Sequence, residues 1–94
     1  MALHQVLAAL ADNTRRDILQ TLRKGKISSG DLAKSLGMTP QALSYHLARL
    51  KQAGLIYETR QKNFIYYELD LSVLDEAVLW INDLKGGTPH ETEQ

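Results

Sequence analysis

TPQALSYHLARLKQAGLI, residues 39–56, contains a helix with both of its ends marked. Thr39 is a capping residue, and Pro40 falls in the first turn, where a missing N–H costs nothing. Leu43, Leu47 and Leu50 recur along one inner stripe, Ala53 closes it, and Gly54 suits the left-handed position that ends a helix. The outward face carries Gln41, Ser44, Tyr45, Ala48, Arg49 and Gln52. A solvated helix ordinarily alternates Glu and Lys there, whereas this face offers amides, hydroxyls and one guanidinium.

Just upstream, Ser28 and Asp31 have capping-box spacing and open a short helix with Leu32, Ala33 and Leu36 inward, stopped by Gly37. Two short helices joined across Gly37 and Met38 make a helix-turn-helix. Earlier still, Leu3, Val6, Leu7 and Leu10 repeat at helical spacing. Asp12 or Asn13 caps a second helix with Ile18, Leu19 and Leu22 inward, ended by Gly25. Downstream, residues 55–60 and 64–69 are rich in β-branched and aromatic residues and flank a turn in which Asn63 best tolerates positive φ. Ile27 and Ser28 add a short third strand. Asp70 or Ser72 caps a last helix reaching about Lys85, with two apolar stripes: Val73, Ala77, Trp80 and Leu84 in one, Leu74, Val78 and Ile81 in the other. One stripe docks a helix on its own core, and the second implies another surface, most economically another chain.

These elements spell a mainly α fold with a small β-hairpin, ordered α-α-(β)-α-α-β-β-α: a winged helix-turn-helix. Residues 1–86 read as one DNA-binding and dimerisation domain, and residues 87–94 as a flexible polar tail. A chain of 94 residues buries only about 60–65% of its extended surface, so a partner subunit helps. It has no cysteine, which excludes disulfides, thiolate nucleophiles and Cys-based zinc sites. No apolar run is long enough for a membrane span, and the first residues lack a basic start and a cleavage site, so the expected location is cytoplasmic.

The formal charge of zero conceals a division. Residues 14–62 hold ten Lys or Arg against Asp17, Asp31 and Glu58, a balance of +7, while residues 63–94 hold Lys85 against seven acids. No acid occurs between Asp31 and Glu58. A basic half suggests a polyanionic partner. In a helix-turn-helix the second helix enters the DNA major groove, where Gln pairs with adenine, Ser with several bases, and Ala permits close approach. Gln41, Ala42, Ser44 and Tyr45 fit that use. Arg16, Lys24, Lys26, Lys34, Arg49 and Lys51 fit phosphates, and the wing tip of Arg60, Gln61 and Lys62 fits a neighbouring backbone or the minor groove. Arg15 shares the inner face of its helix and suits a structural ion pair. His46 flanks the inner stripe and suits a half-buried, hydrogen-bonded ring. Tyr57, Phe64, Tyr66 and Tyr67 suit core and wing packing.

Residues 11–69 resemble the ArsR family of winged-helix repressors through ADNTRRDIL (11–19), SSGDLAKSLG (28–37), SYHLARLKQAGLI (44–56) and IYYEL (65–69), most closely its SdpR-like autorepressors, which lack a metal site. The resemblance implies a homodimeric, metal-independent repressor that binds double-stranded, pseudo-palindromic operator DNA through Thr39, Gln41, Ala42, Ser44, Tyr45 and His46. It implies dimerisation through the first and last helices, here Leu3, Val6, Leu7, Leu10, Val73, Ala77, Trp80, Ile81 and Leu84. Two departures stand out. Lys62 occupies a wing position near which many relatives have glycine, and the short helix SGDLAKSLG lacks the cysteines of metal-sensing members. A second family metal site joins acids and histidines across paired last helices, and Asp75, Asp83 and His90 do not repeat its spacing. No nucleophile elbow, phosphate loop or paired-ligand motif suggests an enzyme or a cofactor. The alternative is a winged-helix protein–protein module controlled by sequestration through its acidic last helix, by a membrane or anti-repressor protein.

Overall fold

The computed structural model describes residues 2–86. Eight elements follow in order: α1 (Leu3–Leu10), α2 (Asn13–Leu22), β1 (Ile27–Ser28), α3 (Ser29–Leu36), α4 (Pro40–Gln52), β2 (Ile56–Gln61), β3 (Phe64–Leu69) and α5 (Leu71–Leu84). The tail expected at 87–94, with His90, lies outside the described residues.

Local chemistry sets the helix ends. Asp12 accepts from the Arg15 N–H, Ser28 Oγ from the Asp31 N–H, Thr39 Oγ1 from the Ala42 N–H, and Asp70 from the Ser72 N–H. Each satisfies an amide that the helix cannot pair internally. Both helices of the turn motif end alike. Gly37 (φ 64°) and Gly54 (φ 77°) turn left-handed, and the following amides of Met38 and Leu55 reach back to the Ala33 and Leu50 carbonyls, each at 3.0 Å. That is the Schellman closure, and glycine adopts its turn residue without a Cβ penalty.

The core joins Val6 and Ala9 of α1, Ile18 and Leu22 of α2, Leu32 of α3, and Leu43, Leu47 and Leu50 of α4 with Leu55, Ile56 and Tyr67 of the hairpin. The sheet runs β1-β3-β2, antiparallel throughout, with Ile27 opposite Tyr67 and Glu58 opposite Tyr67 on β3's other edge. Gln61 pairs with Phe64, so the wing tip is the two-residue turn Lys62-Asn63. Positive φ falls on Lys62 (58°), not on Asn63. A two-residue turn with only its first central residue left-handed has the type II′ pattern, which prefers glycine first. Lys62 therefore bears the strain of a position that suits glycine.

Two other expectations are corrected. Tyr57 and Phe64 are exposed rather than in the core, although Phe64 packs against Tyr66 on the wing with ring centroids 6.4 Å apart, and only Tyr67 of the hairpin aromatics is buried. The stripes of α5 do not run its length. Val73, Leu74 and Ala77 dock on the body, with Val73 close against Gly54, while Val78, Leu79, Trp80, Ile81 and Leu84 are all exposed. Past Ala77 the helix has no buried residue among the described residues.

Candidate nucleic-acid interface

With Leu43, Leu47 and Leu50 buried, the helical period turns Gln41, Ala42, Ser44, Tyr45, Ala48, Arg49 and Gln52 outward, and all are exposed. Thr39 stands at the helix mouth with its hydroxyl engaged as the cap. The Arg49 guanidinium lies over the Tyr45 ring, 5.3 Å from its centroid, so both long side chains are steadied together.

His46 turns inward. Its side chain is 17% exposed, its Nδ1 faces the Arg15 Nη1 at 3.3 Å, and the Asp12 carboxylate is 3.9 Å away. Arg15 also donates from Nε to the Ala9 carbonyl at 3.0 Å and from Nη2 to the Ala8 carbonyl at 3.2 Å. Arg15 therefore closes the C-terminal end of α1 and braces α4, where the sequence suggested an ion pair. Asp12 caps α2 in the same place. The Arg15 amide, first, and then the Arg15 charge hold its carboxyl below the ordinary range. No local pattern announces this junction, because His46 lies far along the chain from Arg15.

The cations around α4 are not equally free. Arg16 is exposed but folds back, donating to the Leu10 carbonyl at 2.7 Å and to the Asn13 side chain. Lys51 reaches across to Glu58 of β2 at 2.7 Å, which lowers the Glu58 pKa and raises that of Lys51, chiefly through that hydrogen bond. Lys51 was expected on a phosphate, and the fold ties it to the wing instead. Lys26 stacks over Tyr66 at 5.4 Å. Lys24, Lys34, Arg60 and Lys62 are exposed. Asp12 and Glu58, which approach His46 and Lys51 of α4, are both engaged, and α4 itself carries no carboxylate.

The dimerisation set divides. Val6 and Ala77 are buried in the protomer's own core, being the residues by which α1 and α5 dock, and are unavailable to a partner. Leu3, Leu10 and Val73 are half-buried, and Leu7, Trp80, Ile81 and Leu84 are exposed. Val78 and Leu79 join them. Leu79, outside both sequence stripes, shows at 62% exposure that α5 presents apolar groups beyond any one docking face.

Residues 10–58 match the model of a helix-turn-helix domain family. The chain is 38% identical over 79 residues to the transcriptional repressor SdpR of Bacillus subtilis, covering 84% of this chain and 88% of that protein. The chain belongs to the ArsR family. It is an SdpR-like member, similar also to the arsenic resistance regulator ArsR1 of Pseudomonas putida, at 31% identity over 87% of this chain and 62% of that one. An ArsR-like transcriptional regulator from Rhodococcus superposes with a TM-score of 0.84 at 30% identity, covering 88% of this chain and 76% of that structure. This ArsR-family chain is thus a DNA-binding transcription regulator and not an enzyme. No described helix is long and apolar enough to cross a membrane.

Proposed function

We propose that two copies form a cytoplasmic homodimer that represses transcription by occupying a pseudo-palindromic operator. The observation that carries this reading is the outward face of α4, exposed along its length, free of carboxylates and mouthed by Thr39 and Gln41. Gln41, Ala42, Ser44 and Tyr45 read base edges in the major groove. Thr39, Arg49, Arg16 and the wing residues Arg60 and Lys62 hold phosphates. His46 acts from inside, keeping α4 at its angle through Arg15. The two reading helices stand about 34 Å apart, one turn of duplex. Residues 1–86 are the DNA-binding and dimerisation domain, joined through Leu3, Leu7, Val78, Leu79, Trp80, Ile81 and Leu84. Such a run of exposed apolar residues marks an interaction surface.

Regulation proceeds without a metal in this reading. Thiolate donors are missing from the sequence, and no three His, Cys, Asp or Glu cluster among the described residues. The exposed apolar end of α5 also favours a second reading, in which a sequestering membrane or anti-repressor protein takes this surface.

Selecting bound fragments from genomic DNA, then measuring Gln41→Ala/Ser44→Ala and Arg49→Ala on selected and random duplexes, tests the assignment. The first variant loses about 1–3 kcal/mol per base contact on the selected duplex alone. The second weakens on both. Equal losses on both duplexes in both variants contradict these roles, and elution from heparin at low salt favours the protein–protein module.

A further inference from the structure

A cleft of about 410 Å³ opens between α1 and α4, lined by His4, Gln5, Arg15, Tyr45, Arg49 and Gln52 together with Ala8 and Ala9. Two guanidiniums, an imidazole, two amides and a phenol line it, and no carboxylate does. Both cations are held before any ligand arrives. Arg15 is fixed by the Ala8 and Ala9 carbonyls and by His46, contacts that use three of its five N–H donors. Arg49 is stacked on Tyr45. The nearby acid, Asp12, is committed to the cap of α2 and lies outside the lining.

Fixed, forked donors without an opposing acid suit the oxygens of a phosphate better than a neutral or cationic ligand. The volume exceeds what a lone oxyanion fills and leaves room for the sugars on either side of a phosphodiester. The place fits as well. Gln41, Tyr45, Arg49 and Gln52 follow one another at helical spacing, so the exposed stripe of α4 runs directly into the cleft.

We propose that the α1–α4 cleft is a seat for a phosphate-type oxyanion, filled in the DNA complex by a phosphodiester of the backbone. The assignment rests on α4 facing DNA. It adds α1 and Arg15 to the contact surface and makes this one phosphate a built site rather than a chance encounter with a flexible lysine.

Two arms test it on the full chain. In the first, inorganic phosphate is titrated against chloride at matched ionic strength while the Gln5 and Gln52 side-chain amides and the Arg49 Nε–H are followed by NMR. In the second, binding of a labelled random-sequence duplex is measured across salt for wild type, Gln52→Glu and Arg49→Gln. Gln52 and Arg49 are exposed, so neither change threatens folding. Gln52→Glu places a carboxylate in the seat. It weakens duplex binding at least about fivefold and flattens the slope of log K against log salt by about 0.9, the share of one phosphate. Arg49→Gln flattens it similarly. If phosphate moves the three signals while Gln52→Glu binds duplex as wild type does, the cleft serves a free anion and the phosphodiester assignment is overturned. If neither arm responds, the seat itself is overturned. A wild type that binds no duplex is instead a failure of the DNA-facing reading, and the phosphodiester assignment falls with it. The phosphate titration then decides separately whether the cleft is an anion seat.

Discussion

Replacing Arg15 by Leu removes a side chain that joins the end of α1, the start of α2 and the recognition helix. Three contacts go: Nε to Ala9 at 3.0 Å, Nη2 to Ala8 at 3.2 Å and Nη1 to His46 at 3.3 Å. A hydrogen bond from a charged donor contributes about 1.5–3 kcal/mol when sheltered. The Ala8 contact is exposed and water replaces it, while the other two are part-buried, the Ala9 contact of ordinary length and the His46 contact longer. The expected loss is therefore about 2–4 kcal/mol, against a total of about 5–14 kcal/mol for a chain of this length. Urea denaturation measures it directly. Arg15→Lys keeps the charge but reaches one partner at a time, and loses roughly half as much. Combining Arg15→Leu with His46→Ala completes a cycle whose coupling is about 1 kcal/mol. A loss under about 1 kcal/mol with additive single variants would mean that Arg15 is only a surface cation and does not brace α4.

Thr39→Ala deletes the cap of α4 and costs about 1 kcal/mol in urea unfolding, since the Ala42 amide is left to water. Lys62→Gly relieves the left-handed residue of the wing turn and raises stability by up to about 1 kcal/mol, while duplex affinity falls by one tip charge. Leu84→Asp or Trp80→Asp, each at an exposed site, leaves the fold intact and shifts sedimentation towards the monomer; an unshifted profile removes α5 from the interface. Asp12, Glu58 and Asp70 are all held below the ordinary carboxylate range, by the Arg15 amide, by Lys51 and by Ser72 respectively. Their contribution is present above the unfolded carboxylate value of about 4 and is lost as pH falls through the depressed folded values. Denaturant midpoints accordingly stay level from about pH 8 to 5 and drop below about pH 4, and a midpoint that declines already near neutrality speaks against these three carboxylates as the cause.

What could be read from the chain is what short-range chemistry dictates. Thr39, Pro40, Gly37 and Gly54 marked the ends of α3 and α4 because caps and left-handed residues act over three or four positions. Leu43, Leu47 and Leu50 gave the rotation of α4, and with it which side chains face outward. Contacts between distant segments were not legible. The Arg15–His46 brace and the Lys51–Glu58 pair join residues whose proximity only the packed helices create. The wing turn misled for a subtler reason: Asn63 tolerates positive φ better than lysine, but the register of Gln61 with Phe64 places the strained position one residue earlier. On α5 the periodicity was sound, yet it carries no information about where the supporting core stops, and so Ala77 was assigned outward when the protomer itself uses it; on α1 periodicity alone likewise did not say that Val6 serves the protomer's own core.

Pairing through the exposed end of α5, as proposed, would tie gene control to abundance. Val78, Leu79, Trp80, Ile81 and Leu84 are the five apolar side chains that a second copy would cover. If pairing shields them, then at scarce copy number the occupied operator scales with the square of chain number rather than in proportion to it. A modest change in synthesis then becomes a sharper change in transcription.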